Sequence, residues 1–172
     1  AVVGVRAVLK EYSDLRVDDV NLGQIFGGAR DIKMMVWETS ELDAMEGIRF
    51  RNMSIPELKA QLPKGKDGKE PLPEALFWLM LVGEVPTQAE ADWLTAEWRK
   101  RSAVPAHVFT TLDSLPANTH AMTQFSIAIN AMQTESVFAA RYDEGMPKDE
   151  YWDATYEDTM NLIARLPQVA AY

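Results

Sequence analysis

Residues 72–101, LPEALFWLMLVGEVPTQAEADWLTAEWRKR, decide the fold class. Their first half is apolar on nearly all faces of a helix, so we expect this helix to be buried. Gly83 ends it, and Thr87 and Glu90 then form a capping box, in which each side chain satisfies a free backbone amide at the start of a second helix. The basic residues 99–101 fall where a helix C-terminus favours positive charge. The stretch therefore predicts two successive helices.

Helical patterns continue on both sides of this stretch. Ser54 and Glu57 form another capping box, which predicts a short helix that ends near Pro63. Residues 64–70 are polar and rich in glycine, so we expect an exposed loop. Apolar residues recur every three to four positions toward the C-terminus, and they predict further helices over residues 105–113, 120–133, 135–142 and 150–166.

Residues 18–50 have a different pattern, in which glycines separate short runs of β-branched and aromatic residues. This predicts short strands and turns, with Gly27 and Gly28 at positive φ and a further turn over residues 43–47. The chain is thus predicted to be mainly α-helical, with a small β-hairpin segment near the N-terminus.

The composition is that of a globular domain with one hydrophobic core, since 47% of the 172 residues are hydrophobic and 25% are charged. With 17 Lys and Arg against 26 Asp and Glu the net charge is −9, which disfavours binding to nucleic acid or anionic lipid. No apolar run approaches the roughly 20 residues that a membrane-spanning helix requires. The absence of cysteine excludes disulfides, thiolate metal sites and cysteine nucleophiles.

The residues that could carry chemistry do not form a recognisable active site. His107 and His120 lie near predicted helix starts, and a structural or solvated role is favoured because neither has an evident catalytic partner. No serine lies in a nucleophile-elbow sequence, and no glycine-rich phosphate loop is present. The carboxylates are scattered and predict neither an acid–base pair nor a metal site. We therefore assign no catalytic residue and no metal ligand.

Four basic residues are candidates for anion binding or for ion pairs. Arg30 follows the glycine turn, where a guanidinium could bind phosphate through two hydrogen bonds. A surface salt bridge is the alternative, and the residues alone favour it. Lys148 lies in a loop before the 150–166 helix, where a solvated charge is favoured in the same way. Arg49 and Arg51 have strand spacing, so we expect both on one face, paired with carboxylates.

The pieces FGGAR, EGIRFR, SIPE, LFWL and EGMPKDEYW occur in this order between about Asn21 and Tyr172. Together with the sequence between them they resemble the mitochondrial type of citrate synthase. The resemblance implies the helical bundle of that family's large domain, here incomplete, and a homodimer. It also implies condensation of acetyl-coenzyme A with oxaloacetate to citrate and coenzyme A, in the tricarboxylic acid cycle. Coenzyme A is then part of a substrate and a product, and no cofactor is bound permanently.

The resemblance assigns part of a coenzyme site, but no catalytic group, to this chain. The family's acid–base residues and its oxaloacetate-binding arginines lie beyond the position that matches Tyr172, and His107 and His120 do not match them. Arg30 matches an arginine that contacts coenzyme A phosphates, and Lys148 falls where relatives can have an arginine in that role. At Arg30 the resemblance therefore favours phosphate binding over a surface salt bridge. At Lys148 it makes phosphate binding and a solvated charge about equally favoured. Core and dimer contacts would come from the helices at 72–82, 87–102 and 120–142.

The resemblance also implies a domain organisation and two alternative functions. Residues 1–20 would be a divergent N-terminal segment, and residues 21–172 the N-terminal part of a large domain. The chain is then part of the enzyme in the mitochondrial matrix, or a truncated relative that serves as a non-catalytic subunit of a mitochondrial assembly. The apolar residues 169–172 lead us to expect that more protein follows, which favours the enzyme.

Overall fold

The computed structural model describes residues 2–28, 32, 40–43 and 45–172. Within these ranges the chain is mainly helical and carries one antiparallel sheet, so the predicted fold class is confirmed. The helices are α1 (Val2–Tyr12), α2 (Leu22–Phe26), α3 (Ile55–Gln61), α4 (Pro73–Val82), α5 (Gln88–Arg101), α6 (Ala106–Asp113), α7 (Ala121–Ala131), α8 (Val137–Asp143) and α9 (Tyr151–Ala171). Short 3-10 turns cover Met132–Glu135 and Lys148–Glu150. The strands are β1 (Ser40–Asp43), β2 (Gly47–Phe50) and β3 (Met53–Ser54), in that order across the sheet.

Helix α2 corrects the prediction of strands and turns after residue 18. Asn21 and Gln24 form a capping box, in which Gln24 N–H donates to Asn21 Oδ1 at 2.9 Å and Asn21 N–H donates to Gln24 Oε1 at 3.0 Å. These bonds satisfy free amides at the helix start. Gly28 has the expected positive φ of 80°. Gly27 does not, since its φ is −80° and its N–H donates to carbonyls of the last turn of α2.

The hairpin joins β1 and β2 through the predicted turn. The Asp43 carboxylate accepts the N–H groups of Met45 and Glu46, both at 2.8 Å, and these two bonds are the main reason why the pKa of Asp43 is lowered. Gly47 follows with φ of 92°, a conformation that costs glycine little. The turn therefore depends on an aspartate that accepts two backbone bonds and on a glycine at positive φ.

The prediction for Arg49 is confirmed and the prediction for Arg51 is wrong. Arg49 forms a two-pronged ion pair with Glu46, at 2.9 and 3.0 Å. Arg51 instead lies in the turn between β2 and β3, with φ of 49°, and the next residue, Asn52, has φ of 66°. Since the chain leaves the strand there, the alternation of side chains no longer applies. The Arg51 guanidinium donates to Met80 O at 2.6 Å, near the C-terminal end of α4.

One hydrophobic core lies among α3, α4 and α5. Its buried side chains are Leu58, Leu62, Ala75, Leu79 and Ala91. The predicted capping box of α3 is present, with Ser54 N–H donating to the Glu57 carboxylate at 2.7 Å. The expectation that α4 is buried all round is wrong for this chain, because Leu81 and Val82 are about half exposed. The described part of the chain covers only one side of α4.

A second core lies among α6, α7 and the end of α9. Its buried residues are Val108, Leu112, Ala128, Met132 and Val169. Because Val169 belongs to this core, packing holds the last turn of α9 in helical form as far as Ala171, although Pro167 interrupts its hydrogen bonding. The predicted end at residue 166 was therefore too early.

Helix α9 also packs against α5, so it links the two cores. Trp98 Nε1 donates to Met160 Sδ at 3.3 Å, and Arg101 donates to Glu157 at 2.6 Å and to Asn161 at 3.1 Å. Within the described ranges, no helix is both long and apolar enough to cross a membrane.

Candidate functional site

Lys148 lies at a sharp corner between α8 and α9. Gly145 turns the chain after α8 with φ of 89°. The N–H of Met146 then donates to Arg141 O at 3.0 Å, and the Met146 side chain is buried. The next residues form the 3-10 turn that begins with Lys148 and leads directly into α9. The Lys148 side chain is exposed, as predicted for this loop, and lies just before the N-terminal end of a long helix.

Arg141 connects the two sides of this corner. From the last turn of α8 it donates to the Asp153 carboxylate at 2.8 Å and to the Glu150 carboxylate at 2.7 Å. Hydrogen bonding to Asp153 is the largest cause of the raised pKa of Arg141. One guanidinium thus holds two carboxylates, one at the end of the 3-10 turn and one in the first turn of α9, and so closes the Lys148 loop.

Asp158 fixes the other end of α8. Its carboxylate accepts the Ser136 hydroxyl at 2.6 Å, the Val137 N–H at 2.7 Å and the Phe138 N–H at 3.1 Å. The Ser136 hydroxyl in turn accepts the Ala139 N–H at 3.0 Å, so the first turn of α8 is capped from within and from α9. Helix α8 is therefore tied to α9 at both ends by charged groups.

Three aromatic rings fill the space between these ties. Phe138 lies 5.1 Å from Tyr151 and 6.0 Å from Tyr142, and Tyr142 lies 6.1 Å from Tyr151, measured between ring centroids. These distances are in the range of favourable ring contacts. Contacts among these aromatic rings thus support the corner that carries Lys148.

The structure describes only one of the two predicted phosphate-binding residues, Lys148. Arg30 lies outside the described residues, so its contact with coenzyme phosphates stays a prediction. Lys148 takes part in none of the ion pairs found among the described residues. Its ammonium group is exposed to solvent, but its role also stays a prediction.

Both histidines have structural partners. His107 Nε2 lies 2.8 Å from Ala131 O, which joins α6 to the end of α7. His120 is the N-cap of α7, and its Nδ1 accepts the Met122 N–H at 3.1 Å. Each imidazole thus has a structural contact, and the absence of a catalytic role for either histidine stays a prediction. In the part of the chain that is described, no three His, Asp or Glu side chains are grouped so that they could hold a metal ion.

Sequence reasoning did not identify an open apolar groove of about 670 Å³ among α4, α5 and α9. It is lined by Phe77, Trp78, Leu81, Val82, Trp93, Leu94, Tyr151, Trp152, Thr155, Tyr156 and Thr159. No charged side chain lines it, so it is suited to apolar contact and not to phosphate binding. The even distribution of apolar residues around α4 is the sequence pattern that could have predicted the groove, because a helix that is apolar all round must pack against other residues on every side.

Similarity to known proteins was found at the level of fold and of sequence. A crystal structure of citrate synthase from Pyrobaculum aerophilum has the same fold, with a TM-score of 0.66 and 20% identity over 91% of this chain and 39% of that one. The mitochondrial citrate synthases of Kajikia audax and Xiphias gladius are each 50% identical to it over 162 residues, which is 94% of this chain and 34% of theirs. The mitochondrial 2-methylcitrate synthase of Yarrowia lipolytica is 49% identical over 97% of this chain and 36% of its own length.

A family profile described as "Citrate synthase, C-terminal domain" matches residues 28–172. The helical fold is therefore that of citrate synthases, and the chain belongs to the citrate synthase family. It spans about a third of the length of the curated relatives that it matches. Its assignment to the N-terminal part of a large domain stays a prediction.

Proposed function

We propose that this chain is part of a citrate synthase that condenses acetyl-coenzyme A with oxaloacetate, giving citrate and coenzyme A. The observation that carries this proposal is the 50% identity over 94% of the chain with proteins named as mitochondrial citrate synthases. The names of these relatives also support a mitochondrial location, which we place in the matrix as part of the proposal.

In this proposal the chain contributes structure and one side of the coenzyme site. Lys148 binds a coenzyme phosphate from the corner before α9, and Arg30 binds another. The general acid and base that form the reacting enol are supplied by other parts of the enzyme, and the structural contacts of both histidines with α7 are consistent with this. Acetyl-coenzyme A is a substrate, and no permanently bound cofactor is required.

The same proposal gives the apolar groove a role in assembly. Leu81, Val82, Trp93 and Trp152 are each about half exposed or more, and together they form an apolar surface that monomeric proteins rarely leave open. We assign it to contacts with the rest of the enzyme, including the second subunit of a homodimer.

The reaction is tested on the intact protein as it is purified. Its denatured mass should exceed 19.3 kDa, or it should purify with a second chain. It should release free coenzyme A from acetyl-coenzyme A only when oxaloacetate is present. A protein of 19.3 kDa without a partner and without this activity would instead support the alternative, a non-catalytic subunit of a mitochondrial assembly.

A second candidate differs only in the acyl group. The similarity to a relative named 2-methylcitrate synthase is nearly as high, at 49% identity over 97% of the chain. 2-Methylcitrate carries one methyl group more than citrate, so the corresponding acyl donor is propionyl-coenzyme A. Comparing kcat/KM for acetyl- and propionyl-coenzyme A distinguishes the two, and we expect the acetyl donor to be preferred.

The coenzyme role of Lys148 predicts a loss of affinity on substitution. Lys148→Ala should raise KM for acetyl-coenzyme A about tenfold, which is about 1.4 kcal/mol, because a charge-assisted contact to phosphate is lost. The kcat and the KM for oxaloacetate should stay unchanged. Lys66→Ala is the matched control, since Lys66 is also exposed but lies in the 64–70 loop. Equal KM values for Lys148→Ala and the control would remove Lys148 from the site.

A further inference from the structure

We propose that Arg141 is a positioning residue for coenzyme binding, which acts by holding Glu150 and Asp153 away from the phosphate that Lys148 binds. This inference rests on the proposed function, because it needs Lys148 to bind phosphate. Arg141 itself does not touch the coenzyme in this proposal. It acts through the geometry of the Lys148 loop and through the charge next to it.

The geometric step follows from where the two bonds of Arg141 lie. Glu150 ends the 3-10 turn that begins with Lys148, and Asp153 lies in the first turn of α9. Their bonds to Arg141, at 2.7 and 2.8 Å, close the loop from α8 to α9. The N–H of Met146 adds a bond to the carbonyl of the same arginine, at 3.0 Å. The Lys148 side chain therefore projects from a backbone segment that Arg141 holds in place both before and after this residue.

The electrostatic step concerns the acidic residues around Lys148. Asp149 and Glu150 follow it directly, and Asp153 is five positions further on. A phosphate that approaches Lys148 meets this negative charge, which opposes binding. Because Arg141 holds two of these carboxylates in charge-assisted hydrogen bonds, its positive charge offsets part of their negative charge in the bound geometry. Without Arg141 the lysine would have to attract a phosphate beside uncompensated carboxylates.

A second ion-pair centre, away from this loop, provides a control for Arg141. Arg101, in α5, donates to Glu97 at 2.9 Å and to Glu157 of α9 at 2.6 Å. It also joins two helices through one guanidinium and two carboxylates, but no loop with an exposed lysine is closed by it. A role that is only structural predicts the same consequences for both arginines.

The experiment measures both centres in the intact protein, by steady-state kinetics and by calorimetric titration with coenzyme A. Arg141→Met should raise KM for acetyl-coenzyme A and Kd for coenzyme A about fivefold, with kcat and the KM for oxaloacetate unchanged. Arg141→Lys should recover part of this loss, since an ammonium group keeps the charge but not the two-pronged geometry. Arg101→Met should lower the melting temperature and leave both coenzyme constants unchanged.

The double variant separates the inference from the function on which it rests. If Arg141 acts through Lys148, Arg141→Met combined with Lys148→Ala should be about tenfold weaker than the parent, and not the product of the two single effects. An effect of Lys148→Ala without an effect of Arg141→Met would overturn the inference alone. Additive effects would overturn it as well, because Arg141 would then act without Lys148. No effect of Lys148→Ala would overturn the proposed coenzyme site and the inference together.

Discussion

The N-terminal residues 2–28 and the helical region 53–172 form helices for different reasons. In the first segment the described side chains are exposed apart from Gln24, which is half-buried, and large apolar groups such as Leu9 and Phe26 face solvent. In the second region every helix from α3 to α9 except α8 contributes to the set of buried apolar residues. Helix α1 has 11 residues, which is shorter than isolated helices usually need to be stable in water.

This difference shows which interactions each region depends on. Helix α2 depends on a local capping box, and no described side chain of α1 is buried, whereas α4, α5 and α9 depend on contacts between residues far apart in the sequence. Capping bonds and turn glycines occur in both regions. The same local change should therefore alter global stability in the second region and leave it nearly unchanged in the first.

Removal of a core side chain should give the largest effect. Leu79 is 1% exposed in the core of α3, α4 and α5, and Leu79→Ala should lower the free energy of unfolding by about 3 kcal/mol through lost burial and a cavity. Leu9 in α1 is 60% exposed, and Leu9→Ala should change it by less than about 0.5 kcal/mol. Urea unfolding followed by circular dichroism measures both. Equal losses would mean that the two regions unfold as one unit.

Loss of a helix cap should be the next largest effect. Asp158→Ala removes three hydrogen bonds at the start of α8 and should lower the free energy of unfolding by about 2 kcal/mol. Asn21→Ala removes the cap of α2 and should leave the main unfolding transition within about 0.5 kcal/mol. Its effect should instead appear as faster amide exchange within residues 22–26. A shift of the main transition by Asn21→Ala would contradict the separation of the two regions.

Sequence patterns predicted the helical elements well because caps and apolar spacing are local. The sequence predicts the boxes at Ser54 and Thr87, but it does not predict the equivalent box at Asn21, because the glycines around Asn21 favour turns. Patterns could not predict the Arg141 ion pairs, since they depend on how the corner after Gly145 brings α8 against α9. They also could not show the apolar groove, which exists only between helices distant in sequence. The resemblance to a family supplied Lys148, and the residues alone did not.

Two glycines with nearly the same positive φ test the comparison between the two regions. Gly83 ends α4 with φ of 89°, and Gly28 follows α2 with φ of 80°. A side chain at positive φ is strained, so Gly83→Ala should lower the free energy of unfolding by about 1 kcal/mol. A Cβ at Gly28 would meet no atom within 4 Å, and Gly28→Ala carries the same strain in a segment whose described side chains are not buried. Its effect on the main thermal transition should be small, and a loss equal to that of Gly83→Ala would show that both segments unfold together.

The smallest expected effect is a pH dependence of stability, which the capping box at Thr87 should show and the one at Asn21 should not. Glu90 accepts the Thr87 N–H at 2.7 Å, and this backbone bond is the main cause that lowers the pKa of Glu90 below its usual 4.5. Because the pKa is lower in the folded state, the stabilisation is fully present above pH 4.5 and is lost as the pH falls through the folded value. Glu90→Gln should therefore be less stable than the parent at pH 6, and the difference should shrink below pH 4.5 in thermal melts.

The box at Asn21 contains only neutral amides, so Gln24→Ala should behave alike at both pH values. A constant difference between Glu90→Gln and the parent across this range would mean that the Glu90 carboxylate does not stabilise α5 through its charge.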